Sequence, residues 1–271
     1  MSIFQALVLG ILQGIAEFLP ISSSGHLAVV QNLFGLELPL IFDVCLHLAT
    51  LLAVILVFRK RIWSLLCVFA RWITRKSKPE DKAELSMIVA IIVGTFVTGV
   101  MGIVASKFLP EFPIKLVFVG FIITAFLLIF SNRYGNKNAS ETNSTQLSPM
   151  SVKQGLFVGF AQGIGTLPGI SRSGITISAS LLAKIDRETA GEFSFLLSIP
   201  AILGAFVLEA KDLDTLTQSI SILPLAIGCL AAFTSGVLAL TMLMKLIKKG
   251  KLQWFAYYLI PLAILGLIFI K

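Results

Sequence analysis

Apolar residues recur in six stretches that are long enough, or nearly so, to cross a bilayer: Leu38–Phe58, Leu85–Val104, Ile114–Phe130, Thr189–Leu208, Ile222–Leu243 and Leu252–Ile270. A spanning helix needs about 20 predominantly apolar residues. Two further apolar regions, Ile3–Leu33 and Val152–Ala183, are broken mid-length by glycine, proline, serine and charge. The pattern predicts an all-α polytopic membrane protein with six transmembrane helices and two broken segments.

The broken segments are related. A shift of 149 residues, with no gap, places Gln5, Leu7, Gly10, Gln13, Gly14, Ile15, Ile21, Ser22, Ser24 and Gly25 on Gln154, Leu156, Gly159, Gln162, Gly163, Ile164, Ile170, Ser171, Ser173 and Gly174. Asp43 falls on Glu192 in the same register. This predicts one integral membrane domain, 1–271, built from a first repeat (1–131, broken segment 3–33), a linker (132–150) and a second repeat (151–271, broken segment 152–183).

Charge gives the topology. Lysine and arginine cluster between apolar stretches, at Arg59–Lys82 and Lys245–Lys251, as in cytoplasmic loops. Trp63 and Trp72 make the first of these an amphipathic run suited to the membrane interface. The linker, rich in Asn, Ser and Thr, is expected on the same side, and its Asn138 and Asn143 matches to a glycosylation pattern are read as composition. Both basic loops fall on one side only if each broken segment dips in and returns as a re-entrant helix hairpin. Each half then crosses three times, so the second copy is inverted and both termini lie outside. Inverted repeats with broken helices place a site near the midplane.

Composition agrees. The chain is 56% hydrophobic and 13% charged, with net charge +8, where soluble domains carry about 25% charged residues. No basic stripe lies on a folded polar surface, so nucleic acid is not an expected partner. Cys45, Cys67 and Cys229 lack metal-ligand spacing and read as apolar fillers. The N-terminus lacks the basic start and cleavage site of a signal peptide.

Irregular backbone and ionisable groups at membrane depth point to a site. In the first segment, Gln13 and Glu17 share a helix face, Pro20 ends the helix, Ser22, Ser23 and Ser24 fill the turn, and His26 is expected to start the returning helix. In the second, Pro168 and Gly169 break the helix, Ser171 and Ser173 flank Arg172, and a new helix is expected near Gly174. A helix N-terminus suits an anion, and arginine suits bidentate contact to phosphate. The two segments together offer Glu17, His26, Arg172 and several hydroxyls, a set for a phosphoryl group on an otherwise apolar substrate. Packing is the preferred reading for Gly94, Gly99, Gly102, Ser178, Ser180 and Ser235. Asp43 and His47, one turn apart, can bond each other, and Asp43 with its counterpart Glu192 can brace the re-entrant loops.

These motifs carry a resemblance. Gln13-x-x-x-Glu17, Ser22-Ser-Ser-Gly-His26 and Pro168-Gly-Ile-Ser-Arg-Ser-Gly-Ile-Thr176 are similar to the signatures of the bacterial undecaprenyl-diphosphate phosphatases, the bacitracin-resistance phosphatases, and the resemblance runs over essentially the whole chain. It implies hydrolysis of undecaprenyl diphosphate to undecaprenyl phosphate and inorganic phosphate in the bacterial plasma membrane. That reaction recycles the carrier lipid for peptidoglycan and confers bacitracin resistance. It also implies a site facing outside and a divalent cation, Mg²⁺ or Ca²⁺, held by Glu17 and the diphosphate. Gln13 fills the Gln option of the first motif, which leaves Glu17 as the carboxylate there.

The expected catalytic residues are Glu17, Ser23, His26 and Arg172. Gln13, Ser22, Ser24, Ser171, Ser173, Gly174 and Thr176 are expected on the phosphates, with Asp43, His47, Gln162 and Glu192 in support. Ser23 is the favoured nucleophile, with Glu17 or His26 as its base; attack by water or by His26 stays open. The partner is a polyprenyl diphosphate lipid within the bilayer, and the oligomeric state, homodimer included, is left open. A lipid flippase using the same cavity is the alternative. A type-2 phosphatidic acid phosphatase would need a histidine after its Ser-Arg, and His26 and His47 both precede Ser171.

Overall fold

The computed structural model describes residues 1–108, 113–135, 149–212 and 220–270. Most of the expected linker, with Asn138 and Asn143, lies outside the described residues.

The chain is helical, and no strand occurs among the described residues. The first half contains α1 (Ile3–Phe18), α2 (Ser23–Leu33), α3 (Leu40–Val57), α4 (Arg59–Ile73), α5 (Lys82–Phe108) and α6 (Ile114–Tyr134). The second contains α7 (Val152–Ile164), α8 (Arg172–Leu182), α9 (Arg187–Glu209), α10 (Ile222–Lys248) and α11 (Gln253–Phe269). Five helices, at 40–57, 79–105, 114–134, 187–209 and 222–248, are long and apolar enough to cross a membrane. With α11, a 17-residue apolar helix, these match the six expected spans. Large apolar side chains point outward along them, including Phe96, Phe126, Leu238 and Phe269. The protein is an all-α polytopic membrane protein.

Local sequence explains both broken pairs. Ser2 caps α1 by accepting from the Gln5 amide while Gln5 reaches back to the Ser2 amide, and Ser151 and Gln154 do the same for α7. This capping box satisfies two otherwise orphaned donors. At the second helix of each pair, Ser22 accepts from the Gly25 amide (3.4 Å) and Ser171 from the Gly174 amide (3.1 Å). All four caps superpose under the 149-residue shift. The expected starts are corrected here: α2 begins at Ser23, not His26, and α8 at Arg172, because the capping serines lie just before them. Eleven residues each, α2 and α8 reach only about 16 Å.

The halves interlock. α1 packs on α10 of the second half, and its counterpart α7 packs on α5 of the first. Small residues allow it, with Gly10 and Gly14 against Gly228, Ala232 and Ser235, and Gly155 and Gly159 against Ala90 and Gly94. In lipid such contact supplies dispersion that apolar bulk does not. The packing reading fails for Gly99 and Gly102, which face open space. It fits Ser178, whose hydroxyl accepts from Ser131 at 2.9 Å. As expected of an interfacial helix, α4 carries Trp63 and Trp72 exposed. Its Arg71 clamps Asp81 through bonds of 2.9 and 2.5 Å.

Candidate active site

Four elements converge on one buried carboxylate. Glu17 sits in the last turn of α1 and is 6% exposed. Its Oε1 pairs with Arg172, the first residue of α8. Its Oε2 accepts from Ser23 Oγ of α2 at 2.6 Å and from Gln13 Nε2 at 3.2 Å. His47 Nε2 of α3 stands 3.3 Å from the same oxygen. Expected residues from both halves are thus joined: Gln13, Glu17, Ser23 and Arg172. A one-turn spacing puts Gln13 and Glu17 on one face, and the break at Leu19–Ser22 turns Ser23 back onto it.

The turn is strained at one point. Ser22 has φ 71°, a left-handed conformation that costs a non-glycine residue about 1–3 kcal/mol. Two bonds to its carbonyl hold it, from the His26 amide (3.2 Å) and from His26 Nδ1 (2.8 Å). A carbonyl cannot donate, so Nδ1 carries the proton and Nε2 accepts from Tyr258 Oη at 2.9 Å. The His26 ring also stacks with Tyr258, centroids 5.7 Å apart, and meets Phe121 at 5.0 Å. His26 therefore contacts α11 rather than the Glu17–Ser23 pair. Sequence reasoning missed Tyr258, since an aromatic residue near a helix start reads as an interfacial anchor.

The second segment docks directly on the first. Ser173 Oγ donates to the Phe18 carbonyl at 3.1 Å, and Ser171 N donates to Thr124 at 3.0 Å. Gly169, at φ +88°, lies against the Val117 backbone, where a side chain would collide. Several expected phosphate ligands are engaged otherwise. The Gly174 amide is taken by the Ser171 cap, and Thr176 Oγ1 donates to the Arg172 carbonyl at 2.7 Å and bonds Ser194 at 2.5 Å. Ser24 is partly exposed beside the buried Ser22 and Ser23.

The supporting residues divide. His47 Nδ1 bonds the backbone carbonyl of Asp43 at 2.7 Å, not its carboxylate, and the carboxylate accepts from Gln31 of α2 at 2.7 Å. Asp43 thus braces the first hairpin, while His47 Nε2 reaches Glu17 at 3.3 Å. Glu192 braces neither hairpin; it lies 3.4 Å from Arg61. Gln162 donates to Thr98 (3.2 Å) and Leu197 (3.4 Å), away from Arg172.

The donor set bears on the expected cation. No cluster of three His, Cys, Asp or Glu suited to a metal occurs among the described residues. Glu17 already meets Arg172, Ser23, Gln13 and His47. One carboxylate flanked by a guanidinium does not fit a resident divalent cation, for which carboxylates and other oxygens must supply most ligands.

Residues 6–265 match a family model described as bacitracin resistance protein BacA. The chain is 56% identical over 265 residues to the undecaprenyl-diphosphatase of Treponema denticola, covering 97% of this chain and 96% of that relative. It is 40% identical over 261 residues to the undecaprenyl-diphosphatase of Borrelia recurrentis, covering 96% of each. It is likewise 40% identical over 266 residues to that of Carboxydothermus hydrogenoformans, covering 95% of this chain and 94% of the relative.

Proposed function

The chain belongs to the bacitracin resistance protein BacA family, and on that premise we propose that it is an undecaprenyl-diphosphatase whose chemistry runs at the Glu17–Ser23–Arg172 cluster. It is a multi-pass membrane hydrolase that converts undecaprenyl diphosphate to undecaprenyl phosphate and inorganic phosphate. The flippase alternative is not favoured, because the relatives are named for the hydrolysis.

One observation carries the mechanism: Ser23 Oγ donates to Glu17 Oε2 at 2.6 Å while Arg172 holds the other carboxylate oxygen. A nucleophile and its base within hydrogen-bond reach, with the base oriented by a third group, is the pattern of covalent catalysis. In this reading Ser23 Oγ attacks the terminal phosphorus and Glu17 takes its proton. The phosphoanhydride bond breaks, and undecaprenyl phosphate leaves with the proton that Glu17 took. Water then cleaves the phosphoserine, with Glu17 again removing the proton. Arg172 turns from Glu17 to the phosphoryl oxygens, where stabilising developing charge is the main lever. The Arg172 and Ser173 amides, at the start of α8, face the same anion. His47 and Gln13 keep Glu17 in place. His26, held by Tyr258 and Ser22, borders the substrate's path rather than acting as the base.

No step is assigned to a cation. Glu17 is the carboxylate that would be open to a Mg²⁺ or Ca²⁺ ion carried by the diphosphate, which would supply charge neutralisation on the substrate. The inverted repeat is part of the same proposal. The duplicated caps and the exchanged α1–α10 and α7–α5 contacts support it, and the basic loops support an outward-facing site with both termini outside.

The test is phosphate release from a polyprenyl diphosphate by purified protein, with and without chelator, followed by acid quench. Release with a phosphate label on Ser23 is the expected result. Release without label at Ser23 would leave Glu17-directed water as the attacking group, and no release would overturn the reading.

A further inference from the structure

A cavity of about 410 Å³ opens where the C-terminal ends of α3 and α10 meet the start of α9. Lys60, Arg61, Lys245 and Lys248 line it against Glu188 and Glu192. Lys248 is matched by Glu188 at 2.7 Å, and Arg61 by Glu84 at 3.0 Å and Glu192 at 3.4 Å. Among the described residues Lys60 and Lys245 make no ion pair. Two of the four cations lining the cavity are therefore unpaired.

An apolar groove of about 240 Å³ adjoins it, between α4, α5 and α9, lined by Ile62, Leu66, Phe69, Ile92, Leu196 and Pro200 among others. The two features share no lining residue but lie side by side along α4 and α9. Ile62 follows Arg61 in the chain, Leu196 lies one turn beyond Glu192, and Ile88, also in the groove, lies one turn beyond Glu84. A charged cup thus lies one helical turn from a greasy channel, beside the amphipathic helix α4.

This pair is separate from the catalytic cluster. Phe58 lines the cavity and stacks on Phe195 at 6.2 Å, and Phe195 meets Phe18 edge-on at 5.7 Å. All three rings are buried, so they wall the basic cavity off from Glu17. An occupant here is not a substrate on its way to Ser23.

We propose that the cavity and groove bind an anionic glycerophospholipid of the leaflet on the basic face, with its phosphate between Lys60 and Lys245 and an acyl chain along the groove. Charge complementarity selects the headgroup, and the groove one turn away along α9, from Glu192 to Leu196, selects an amphiphile over a free anion. Basic residues at a membrane surface each add about 1 kcal/mol toward anionic lipid, so removing both lysines weakens binding about tenfold or more.

Native mass spectrometry of the protein in neutral detergent tests this, with phosphatidylglycerol, phosphatidylcholine of the same chain length, and glycerol phosphate as probes. One phosphatidylglycerol retained per chain is expected, with phosphatidylcholine and glycerol phosphate each held about tenfold more weakly. Lys60→Gln with Lys245→Gln should abolish the preference, and the paired arginine substitutions should keep it. Leu66→Trp, at a half-exposed groove position, should weaken phosphatidylglycerol alone. Phosphate release from a polyprenyl diphosphate reports the fold of every variant and should stay unchanged. Equal retention of the two lipids, an unaltered preference in the glutamine variant, or glycerol phosphate binding as tightly as the lipid would each overturn the proposal.

Discussion

Ser23 and Glu17 stand on different helices, α2 and α1, yet their side chains share a 2.6 Å hydrogen bond with the hydroxyl as donor. The turn at Leu19–Ser22 makes this possible, since it reverses the chain within one helix diameter. Replacing Glu17 by Gln keeps shape and burial but removes the proton acceptor. A positioned base contributes roughly 10²–10⁴-fold, so E17Q should lose about that factor in kcat while purifying as a folded protein. Phosphate release measured at saturating substrate decides it; activity within a few-fold of wild type would remove Glu17 from the role of base.

Ser23→Ala separates covalent from direct attack. If Ser23 forms the bond to phosphorus, the alanine variant loses on the order of 10³-fold or more, and acid-quenched protein carries no label. If water attacks under Glu17, S23A retains measurable turnover with a changed KM. Rapid quench with labelled polyprenyl diphosphate, comparing wild type and S23A, makes the distinction.

Arg172→Lys tests the phosphate clamp. Lysine keeps the charge but loses the planar pair of donors, and removing a donor from a developing oxyanion costs about 10²–10³-fold. R172K should therefore fall well below wild type in kcat/KM. Arg172→Ala should fall further and also leave Glu17 with Gln13, Ser23 and His47 as its remaining partners. Equal rates for R172K and wild type would mean that charge alone, not geometry, is used.

Tyr258→Phe removes the hydroxyl that His26 Nε2 accepts from and keeps the stacked ring. One neutral hydrogen bond is worth about 0.5–1.5 kcal/mol. Y258F should thus lower activity by roughly two- to tenfold, while His26→Ala loses more. Matched kinetics for the two variants would show that His26 acts only through Tyr258; no effect of Y258F would leave the bond a packing detail.

Much of the site was legible because ionisable groups in broken membrane helices have few other uses. Glu17, Ser23 and Arg172 stand out for that reason, and the 149-residue register brings their segments together. What stayed hidden depends on who satisfies whom across helices. A one-turn spacing pairs Asp43 with His47 on paper, but in the fold the Asp43 carbonyl takes Nδ1 and Gln31 takes the carboxylate, which frees Nε2 for Glu17. Glu192 shares Asp43's register position yet meets Arg61, because α4 follows α3 without a counterpart after α9 among the described residues. Gly174 carries the glycine of the motif, but its amide is spent on the cap.

The interlocked halves allow a prediction of stability rather than chemistry. A Cβ added at Gly159 would collide with the Gly94 backbone, whereas one at Gly99 meets nothing within 4 Å. Backbone cannot rotate away as a side chain can, so α7 and α5 must separate to admit the larger residue. Overpacking of this kind costs about 1–3 kcal/mol, and the lost close approach adds to it. Gly159→Leu should therefore lower the midpoint of thermal unfolding in detergent by several degrees, and Gly99→Leu should leave it nearly unchanged. Since α7 leads into the Ser171–Gly174 turn that presents Arg172, the Gly159 variant should also lose activity below its own unfolding range. A Gly159→Leu protein as stable as wild type would mean that the two halves are not held together at this crossing.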